Sequence, residues 1–265
     1  MPFFSIIVVS YNAEMYIKQT IESVLEQNFS DYEIIVKDAL SNDDTLKMIP
    51  DDPRIKIFSC KDSGIYDGMN QAIDKSTGKY LCFLNCGDLF YNSNVLKDIY
   101  AVIENNNFRQ DMFFYGNYVT KGNFTQTPKT TTRKSIYRSP LCHQTMFVSR
   151  TLFQQIGFYR NNFRILADYD FTVHCFCAGI DFCNTGVTVC EYLGDGVSTQ
   201  KKHRQTIKNE YKTIRKTYFS FWERMWFGFC ISLTLPKLRI FIASEKAPKF
   251  INKMYFKFVN RIKKG

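Results

Sequence analysis

The sequence lacks the two glycine-rich loops with which many nucleotide-binding proteins hold phosphate. Neither a GxGxxG pattern nor a GxxxxGK[ST] pattern occurs in its 265 residues. Such loops present backbone N–H groups to phosphate oxygens, so their absence excludes the dinucleotide and P-loop types of site. If the chain binds a nucleotide, carboxylates and a metal ion must take the place of the loop.

Long apolar runs are also missing. The longest such stretch in the last quarter, Trp226 to Leu235, is about ten residues, whereas a membrane-spanning helix needs about 20. The first residues, MPFFSIIVVS, lack a basic segment and lead directly into a strand pattern, so we expect no signal peptide. The nine cysteines fit no common zinc spacing, which favours reduced thiols in a cytoplasmic protein.

Basic residues are concentrated at one end of the chain. Residues 201–265 contain 17 Lys and Arg against 3 acids, a net charge of +14, and the first 200 residues have a net charge of −4. Aromatic residues alternate with these basic residues, which is typical of a helical segment lying in a membrane interface. We expect residues 201–265 to form a basic, aromatic, mainly helical tail on the inner face of the cell membrane. Packing of the tail on the body of the protein is an equal alternative. No nucleic-acid motif accompanies the tail, so we expect no nucleic acid as a partner.

The first hundred residues alternate strand and helix patterns. Four apolar or β-branched runs predict strands, at Ser5–Ser10, Glu33–Asp38, Arg54–Cys60 and Lys79–Leu84. Strands that alternate with helices predict an α/β fold with a mostly parallel central sheet. We therefore expect a single domain over residues 1–200.

Polar residues follow each of these four strands. They are Ser10-Tyr11-Asn12, Asp38, Asp62 and the turn from Asn85 to Asp88. Ligands of parallel α/β sheets bind beyond the carboxyl ends of the strands, so these side chains predict a nucleotide site. Asp38 could accept hydrogen bonds from a base or ribose. Asp88 could bind Mg²⁺ or Mn²⁺, because Mg²⁺ keeps several waters and needs only one or two protein carboxylates when phosphates complete its shell.

The second half is less regular. Patterns at Asp111–Val119, Thr145–Ser149 and Asp181–Tyr192 predict strands, Asp168–Ala178 predicts a helix, and Thr120–Ser139 predicts a mobile loop. Residues two apart on a helix do not share a face, so only one of Asp168 and Asp170 can point into a site.

The ordered segments SIIVVSYNAEMYIKQTIESVLEQ, EIIVKDALSNDDT and DSGIYDGMNQAIDKSTGKYLCFLNCGD resemble the inverting family 2 glycosyltransferases, which have the Rossmann-like GT-A fold. The similarity covers about the first 90 residues and resumes at HQTMF and ILADYDF. The combination of GIYDGMN with FLNCGD looks most like the bacterial O-antigen and surface-polysaccharide branch of that family.

The resemblance implies a nucleotide-sugar-binding half at residues 1–100, an acceptor-binding half at residues 101–200, and a role for individual positions. Nucleotide-sugar contacts are expected from Ser10, Tyr11, Asn12, Asp38, Asp62, Asp67 and Asn85. The Asn85–Asp88 turn falls on the family's DxD-type motif, of which only the last acid remains, so Asp88 is expected to bind the metal. Ala167 replaces the Glu of the family's Glu-Asp pair, and Asp168 keeps the position of the catalytic base. Contacts to acceptor or diphosphate are expected from His143, Gln144, Asp170, His203 and Arg204.

The resemblance thus predicts a metal-dependent hexosyl- or N-acetylhexosaminyltransferase. We expect it to move one sugar, with inversion, from a UDP-sugar to a lipid-diphosphate-linked saccharide in O-antigen, capsule or exopolysaccharide synthesis. Two alternatives stay open. One is a nucleotide-sugar-binding module without turnover, since two family acids are replaced. The other is a protein whose basic tail binds nucleic acid.

Overall fold

The computed structural model describes residues 1–120, 123–192 and 201–233. Among these, nine strands form one mixed sheet in the order β3-β2-β1-β4-β8-β6-β9-β5, with β7 added beside β6. The strands are β1 Phe4–Ser10, β2 Tyr32–Asp38, β3 Ile55–Ser59, β4 Tyr80–Phe83, β5 Leu89–Phe90, β6 Met112–Thr120, β7 Asn123–Thr125, β8 Met146–Ser149 and β9 Asp181–Tyr192.

The first four strands are parallel, as the sequence predicts. β1 pairs with β2 and with β4, and β2 pairs with β3, so that Ser10, Asp38 and Ser59 lie side by side. β4 ends at Phe83, opposite Ile7 of β1. The polar residues that follow the four strands are therefore at one edge of the sheet. Beyond β4 the sheet is mixed: β8 is antiparallel to β4 and to β6, and β9 is parallel to β6.

The described part of the chain contains eight α-helices. They are α1 Ile17–Leu25, α2 Ile65–Lys75, α3 Val95–Asn105, α4 Arg133–Arg138, α5 Arg150–Ile156, α6 Ala167–Cys177, α7 Arg204–Tyr218 and α8 Phe221–Leu233. Helices α1 and α3 bury their apolar residues against one face, beside Phe4, Ile6 and Val8 of β1. On the opposite face, Phe83 of β4 contacts Phe153 of α5, which stacks on Phe171 of α6. Burial of both faces explains why β1, β2 and β4 have apolar runs.

One local prediction is wrong. The segment Thr120–Ser139 contains β7 and the helix α4, which begins with a capping box between Thr132 and Ser135. Asn12 has a left-handed backbone, with a φ of 48°, and α1 begins five residues later without a side-chain cap.

The chain divides into two units, Met1–Ile214 and Arg215–Gly265, with the boundary inside α7. The predicted domain limit at 200/201 adjoins residues 193–200, which lie outside the described residues, and it stays a prediction. The part of the tail that the structure describes, 201–233, is helical as expected, and the rest of the tail lies outside the described residues. Within the described ranges, none of the helices combines the length and the apolarity that crossing a bilayer requires.

Candidate active site

Asp38 ends β2 and is fully buried. Its Oδ1 accepts hydrogen bonds from the hydroxyls of Ser10, at 3.1 Å, and Ser41, at 2.5 Å. Its Oδ2 accepts from the Ser41 N–H and the Ser59 hydroxyl, both at 2.9 Å. Burial alone would raise the pKa of this carboxyl, but the four hydrogen bonds outweigh burial and lower the pKa. Four donors occupy the usual acceptor positions of a carboxylate, so Asp38 fixes the loop after β2.

The loops that follow β1 and β2 are hydrogen-bonded to each other. The Asn12 N–H donates to the Ser41 hydroxyl at 2.9 Å, and the Asn42 N–H donates to Asn12 Oδ1 at 3.0 Å. Tyr11 lies in the first of these loops with 61% of its surface exposed. The two loops are therefore joined beside an exposed aromatic ring, and contact of these residues with a nucleotide stays a prediction.

Asp62 and Asp67 lie around the start of α2. Asp62 Oδ2 is 2.8 Å from Nζ of Lys37, a buried lysine that also donates to two backbone carbonyls. Asp67 Oδ2 accepts from the N–H and the hydroxyl of Ser63, at 2.7 and 3.0 Å. These hydrogen bonds, the one from the Ser63 N–H first, lower the pKa of Asp67. Both acids stabilise this turn, and contact with a donor stays a prediction.

The Asn85–Asp88 turn leads from β4 to β5. Gly87 has a φ of 100°, and its N–H donates to Thr20 Oγ1 of α1 at 2.8 Å. Asp88 is almost fully buried, and its Oδ2 accepts a hydrogen bond from Gln144 Nε2 at 2.6 Å. Asn85 Nδ2 lies 2.8 Å from His143 Nε2, and Asn85 Oδ1 is buried with no hydrogen-bond partner in the structure.

This turn fits a metal ion whose shell is completed by phosphate. The described residues contain no group of three or more His, Cys, Asp and Glu side chains that could enclose an ion. The turn does offer one carboxylate, Asp88, and one unpaired amide oxygen, Asn85 Oδ1. Oxygen ligands in this number suit a Mg²⁺ or Mn²⁺ ion that also binds water and a diphosphate.

Asp168 is the second residue of α6 and faces two side chains from elsewhere in the chain. Its Oδ1 accepts a hydrogen bond from the Tyr66 hydroxyl of α2 at 2.9 Å. Its Oδ2 lies 3.4 Å from His143 Nδ1. Burial, followed by the charge of Asp168, raises the pKa of Tyr66, so this phenol remains a proton donor to the carboxylate.

His143 and Gln144 connect the two carboxylates. His143 lies between Asn85 and Asp168, and Gln144 donates to Asp88. Burial lowers the pKa of His143, but the hydrogen bond and charge of Asp168, with smaller contributions that include Asp88, outweigh it and raise the pKa. A single 3₁₀ turn, His143–Thr145, thus joins the predicted metal ligand to the predicted base.

Three other predicted residues are not in this cluster. Asp170 is buried and forms a bidentate ion pair with Arg160, with 2.7 Å between Arg160 Nε and Asp170 Oδ2. His203 is buried and Arg204 is exposed, and neither has a described contact with Asp88 or Asp168. A role of these residues toward acceptor or diphosphate stays a prediction.

Two residues that contact the start of α6 or the segment just before it cannot be recognised as site residues from the sequence patterns. Tyr66 lies inside the GIYDGMN segment, where its spacing in α2 resembles that of a core residue. Glu210 of α7 accepts hydrogen bonds from three N–H groups just before α6. Glu210 is the only acid in α7 and occupies an apolar position of the helix, between Ile207 and Ile214. An acid at such a position is a signal for a buried polar contact.

The fold is that of a GT-A transferase. Residues 5–182 match the model of glycosyl transferase family 2, and the chain belongs to that family. A PGL/p-HBAD biosynthesis glycosyltransferase of Mycobacterium bovis is 32% identical over 181 residues, which are 66% of this chain and 70% of that one. The Escherichia coli enzyme WfgD, a UDP-Glc:alpha-D-GlcNAc-diphosphoundecaprenol beta-1,3-glucosyltransferase, is 30% identical over 163 residues, 58% of this chain and 63% of that one.

Solved structures confirm the fold. TarS of S. aureus, in complex with UDP-GlcNAc, superposes with a TM-score of 0.62 at 18% identity. The match covers 96% of this chain and 83% of the TarS chain. The mannosyltransferase PcManGT of Pyrobaculum calidifontis, in complex with GDP-Man and Mn²⁺, has a TM-score of 0.61 at 14% identity over 81% of this chain and 65% of its own.

Proposed function

We propose that this family 2 glycosyltransferase moves one hexose or N-acetylhexosamine from a UDP-sugar, with inversion, to a lipid-diphosphate-linked saccharide. The product would belong to a bacterial surface polysaccharide. One observation carries the proposal: a buried carboxylate at a strand end, Asp88, and a carboxylate at a helix start, Asp168, are joined through His143 and Gln144. Two acidic groups with separate surroundings suit the two tasks of the reaction, binding the diphosphate end of the donor and removing a proton from the acceptor.

The donor would lie along the carboxyl ends of β1, β2 and β4. We assign the base and ribose to the loops around Tyr11, Asn12 and Ser41, and give Asp38 the task of fixing those loops. UDP as the nucleotide is supported by the UDP-Glc in the name of WfgD and by the UDP-GlcNAc bound to TarS. We place the diphosphate near Asn85 and Asp88, where a bound Mg²⁺ or Mn²⁺ would offset the charge that develops on the leaving group.

Asp168 is the proposed base. The acceptor hydroxyl attacks C1 of the sugar, the bond between C1 and the diphosphate breaks, UDP leaves, and the hydroxyl proton passes to Asp168. Tyr66 and His143 hold the two carboxylate oxygens from different sides and so keep the carboxylate oriented. Because the nucleophile attacks opposite the leaving group, the configuration at C1 is inverted.

A lipid-linked acceptor would bring the enzyme to the cytoplasmic face of the membrane. The name of WfgD specifies a diphosphoundecaprenol-linked acceptor. In this chain, α8 exposes large apolar side chains on one side, Phe221, Trp222, Met225 and Trp226, each more than half exposed. The net charge of +14 over residues 201–265 would add attraction to anionic lipids.

The test compares two acids of the same helix. Asp168→Asn should lower kcat by about 10²- to 10⁴-fold, the usual contribution of a general base, and leave protection from thermal unfolding by UDP and Mn²⁺ unchanged. Asp170→Asn is the matched control: it should lower the melting temperature, because it breaks the Arg160 pair, with little change in kcat of the folded enzyme. Turnover retained by Asp168→Asn would remove Asp168 from the base role.

A binding module without turnover is the second candidate, because Asn85 and Ala167 stand where the family pattern has acids. Radiolabelled UDP-sugars with Mn²⁺ or Mg²⁺ separate the two functions. Release of free sugar or transfer to a lipid-diphosphate saccharide would exclude the module, and donor binding with neither reaction would support it.

A further inference from the structure

Glu210 links α7 to the start of the helix that bears Asp168. Its Oε1 accepts a hydrogen bond from the Arg164 N–H at 2.8 Å. Its Oε2 accepts from the N–H groups of Ile165, at 3.1 Å, and Leu166, at 2.9 Å. One carboxylate thus binds three successive backbone donors immediately before α6, which begins at Ala167.

The start of α6 has no side-chain cap of its own. Its N-cap residue is Leu166, which has no side-chain acceptor, and backbone donors at a helix start need partners from elsewhere. The carboxylate of Glu210 provides a partner for the N–H of Leu166 and for those of Arg164 and Ile165 just before it, and its negative charge is also favourable at the positive end of the helix dipole. The group that fixes the entry to α6 therefore comes from a residue 44 positions after Leu166 in the sequence.

The same segment is held on its other side by the residue that orients Asp168. The Tyr66 hydroxyl lies 2.6 Å from the Ile165 carbonyl oxygen and 2.9 Å from Asp168 Oδ1. Residues 164–166 are thus fixed between Glu210, through their N–H groups, and Tyr66, through a carbonyl. A shift of this segment would move Asp168, because Asp168 follows it by two residues.

The first part of α7 is built into the body of the protein. Glu210 is 93% buried in an otherwise basic helix, and Ile214 is fully buried. The ring of Tyr211 lies 5.3 Å from the ring of Tyr169, the neighbour of Asp168. Burying a carboxylate is unfavourable unless it is hydrogen-bonded, so the three N–H donors account for an acid at this position.

We infer that α7 up to Ile214 is part of the catalytic apparatus, with Glu210 as the positioning residue for Asp168. Residue 210 lies beyond residues 5–182, the span that matches the family model. The inference rests on the proposed role of Asp168 as the base. Glu210 does not touch the reacting atoms and acts only by fixing residues 164–166.

The experiment measures kcat and KM for Glu210→Gln and Glu210→Ala in the full-length chain. A misplacement of about 1 Å can cost up to about 100-fold in rate, so we expect kcat to fall by about 10- to 100-fold. KM for the UDP-sugar should change by less than about 3-fold. The proposed donor contacts come from residues at the carboxyl ends of β1, β2 and β4, and not from residues 164–168. Glu210→Gln keeps the shape of the side chain and guards against a variant that fails to fold.

Asn209→Ala is the matched control, an exposed neighbour in the same helix, and it should leave kcat unchanged. All rates are expressed per folded enzyme, measured from the amplitude of the thermal unfolding transition. Wild-type kcat in both Glu210 variants, or a loss explained by the folded fraction alone, would overturn the positioning role.

Asp168→Asn measured in parallel separates this inference from the proposed function. If Asp168→Asn is inactive and the Glu210 variants turn over normally, only the positioning role fails. If Asp168→Asn retains turnover, the base assignment fails, and the positioning role fails with it.

Discussion

At the scale of single residues, acids that resemble one another in the sequence have different surroundings. Asp38 accepts hydrogen bonds from Ser41 of the following loop and from Ser10 and Ser59 of the neighbouring strands. Asp170 is paired with Arg160. Asp168 faces Tyr66 and His143. The motif positions alone suggest a ligand-binding role for all three acids and do not show these surroundings. For Asp168 and Asp170 the difference depends on partners 10 to 102 residues away in the chain, which no local pattern shows.

The two ends of the Asn85–Asp88 turn should respond oppositely to substitution. Asp88→Asn should abolish metal-dependent transfer, because it removes the only carboxylate of the turn. Asn85→Asp should be tolerated, because a carboxylate can replace the amide oxygen as a ligand. Transfer rates across a Mn²⁺ titration provide the measurement. An active Asp88→Asn enzyme would contradict the assignment of Asp88.

His143 and Gln144 are adjacent, yet their substitution should affect different quantities. Gln144→Ala removes the donor to Asp88, and loss of such an outer contact typically weakens metal binding by about 10- to 100-fold. We expect the Mn²⁺ concentration for half-maximal activity to rise by at least about 10-fold. His143→Ala removes the contact to Asp168 and should lower kcat by about 10-fold. Identical profiles for the two variants would contradict this division.

At the scale of secondary-structure elements, patterns complete within one segment predict the structure well. β1, β2 and β4 have continuous apolar runs because they are buried on both faces, and β-branched residues favour strands. α6 was predicted at Asp168–Ala178 and begins one residue earlier. The prediction of a loop at Thr120–Ser139 is wrong because the polar residues of this segment include a capping box. Thr132 and Ser135 form this box and start α4.

Gly78, at the entry to β4, has no room for a side chain. A Cβ added there would lie 2.5 Å from both the N and the Oγ of Ser5 in β1. Gly78→Ala should therefore lower the free energy of unfolding by about 1–3 kcal/mol, measured by urea denaturation. Gly228→Ala in α8 is the control, since a Cβ there meets no atom within 4 Å. Equal stability of the two variants would contradict this packing.

At the scale of the whole molecule, buried carboxylates should make stability depend on pH. Glu33 is buried and accepts hydrogen bonds from Ser5, Lys56, Thr77 and Gly78. Burial opposes ionisation, but the bonds from Lys56, Ser5 and Thr77 outweigh it and lower the pKa of Glu33 below its ordinary 4.5. The pKa of Asp38 is lowered in the same way.

Both carboxyls have folded-state pKa values below their unfolded ones. Their stabilisation is therefore complete above the unfolded pKa, about 4 to 4.5, and is lost as the pH falls through the folded values. We expect the melting temperature to be level near neutral pH and to fall below about pH 4.5. Glu33→Gln should have a lower melting temperature at pH 7 and a shallower acid decline. A decline as steep as that of the wild type would contradict the role of Glu33.

The proposed membrane attachment would be a second property of the whole chain. The double variant Trp222→Ser with Trp226→Ser removes two exposed rings of α8 and should reduce flotation with phosphatidylglycerol-containing vesicles severalfold. Phe124→Ser in β7 is the control, an aromatic residue exposed to 59% in the first unit. Pure phosphatidylcholine vesicles should bind the wild type weakly, since they lack the anionic charge. Wild-type flotation of the double variant would contradict a role of α8 in the attachment.

The candidate site divides between what the sequence can and cannot predict. The acids at the strand ends are predictable, because parallel strands bring their carboxyl ends to one edge. Tyr66 and Glu210 are not predictable in this way, because their contacts with residues 165–168 depend on how distant helices pack. A buried acid in a basic helix is the one local indication of Glu210.

The contact between Glu210 and Leu166 also sets an order of events during synthesis. The two residues are 44 positions apart, and translation proceeds at about 5 to 20 residues per second, so the helix start exists for about 2 to 9 s before its carboxylate partner is made. Strands β1 to β4 have all been synthesised by then, whereas residues 164–166 still lack the acceptor for their N–H groups. The proposed base is therefore fixed in position only after the strands of the proposed donor site have been made.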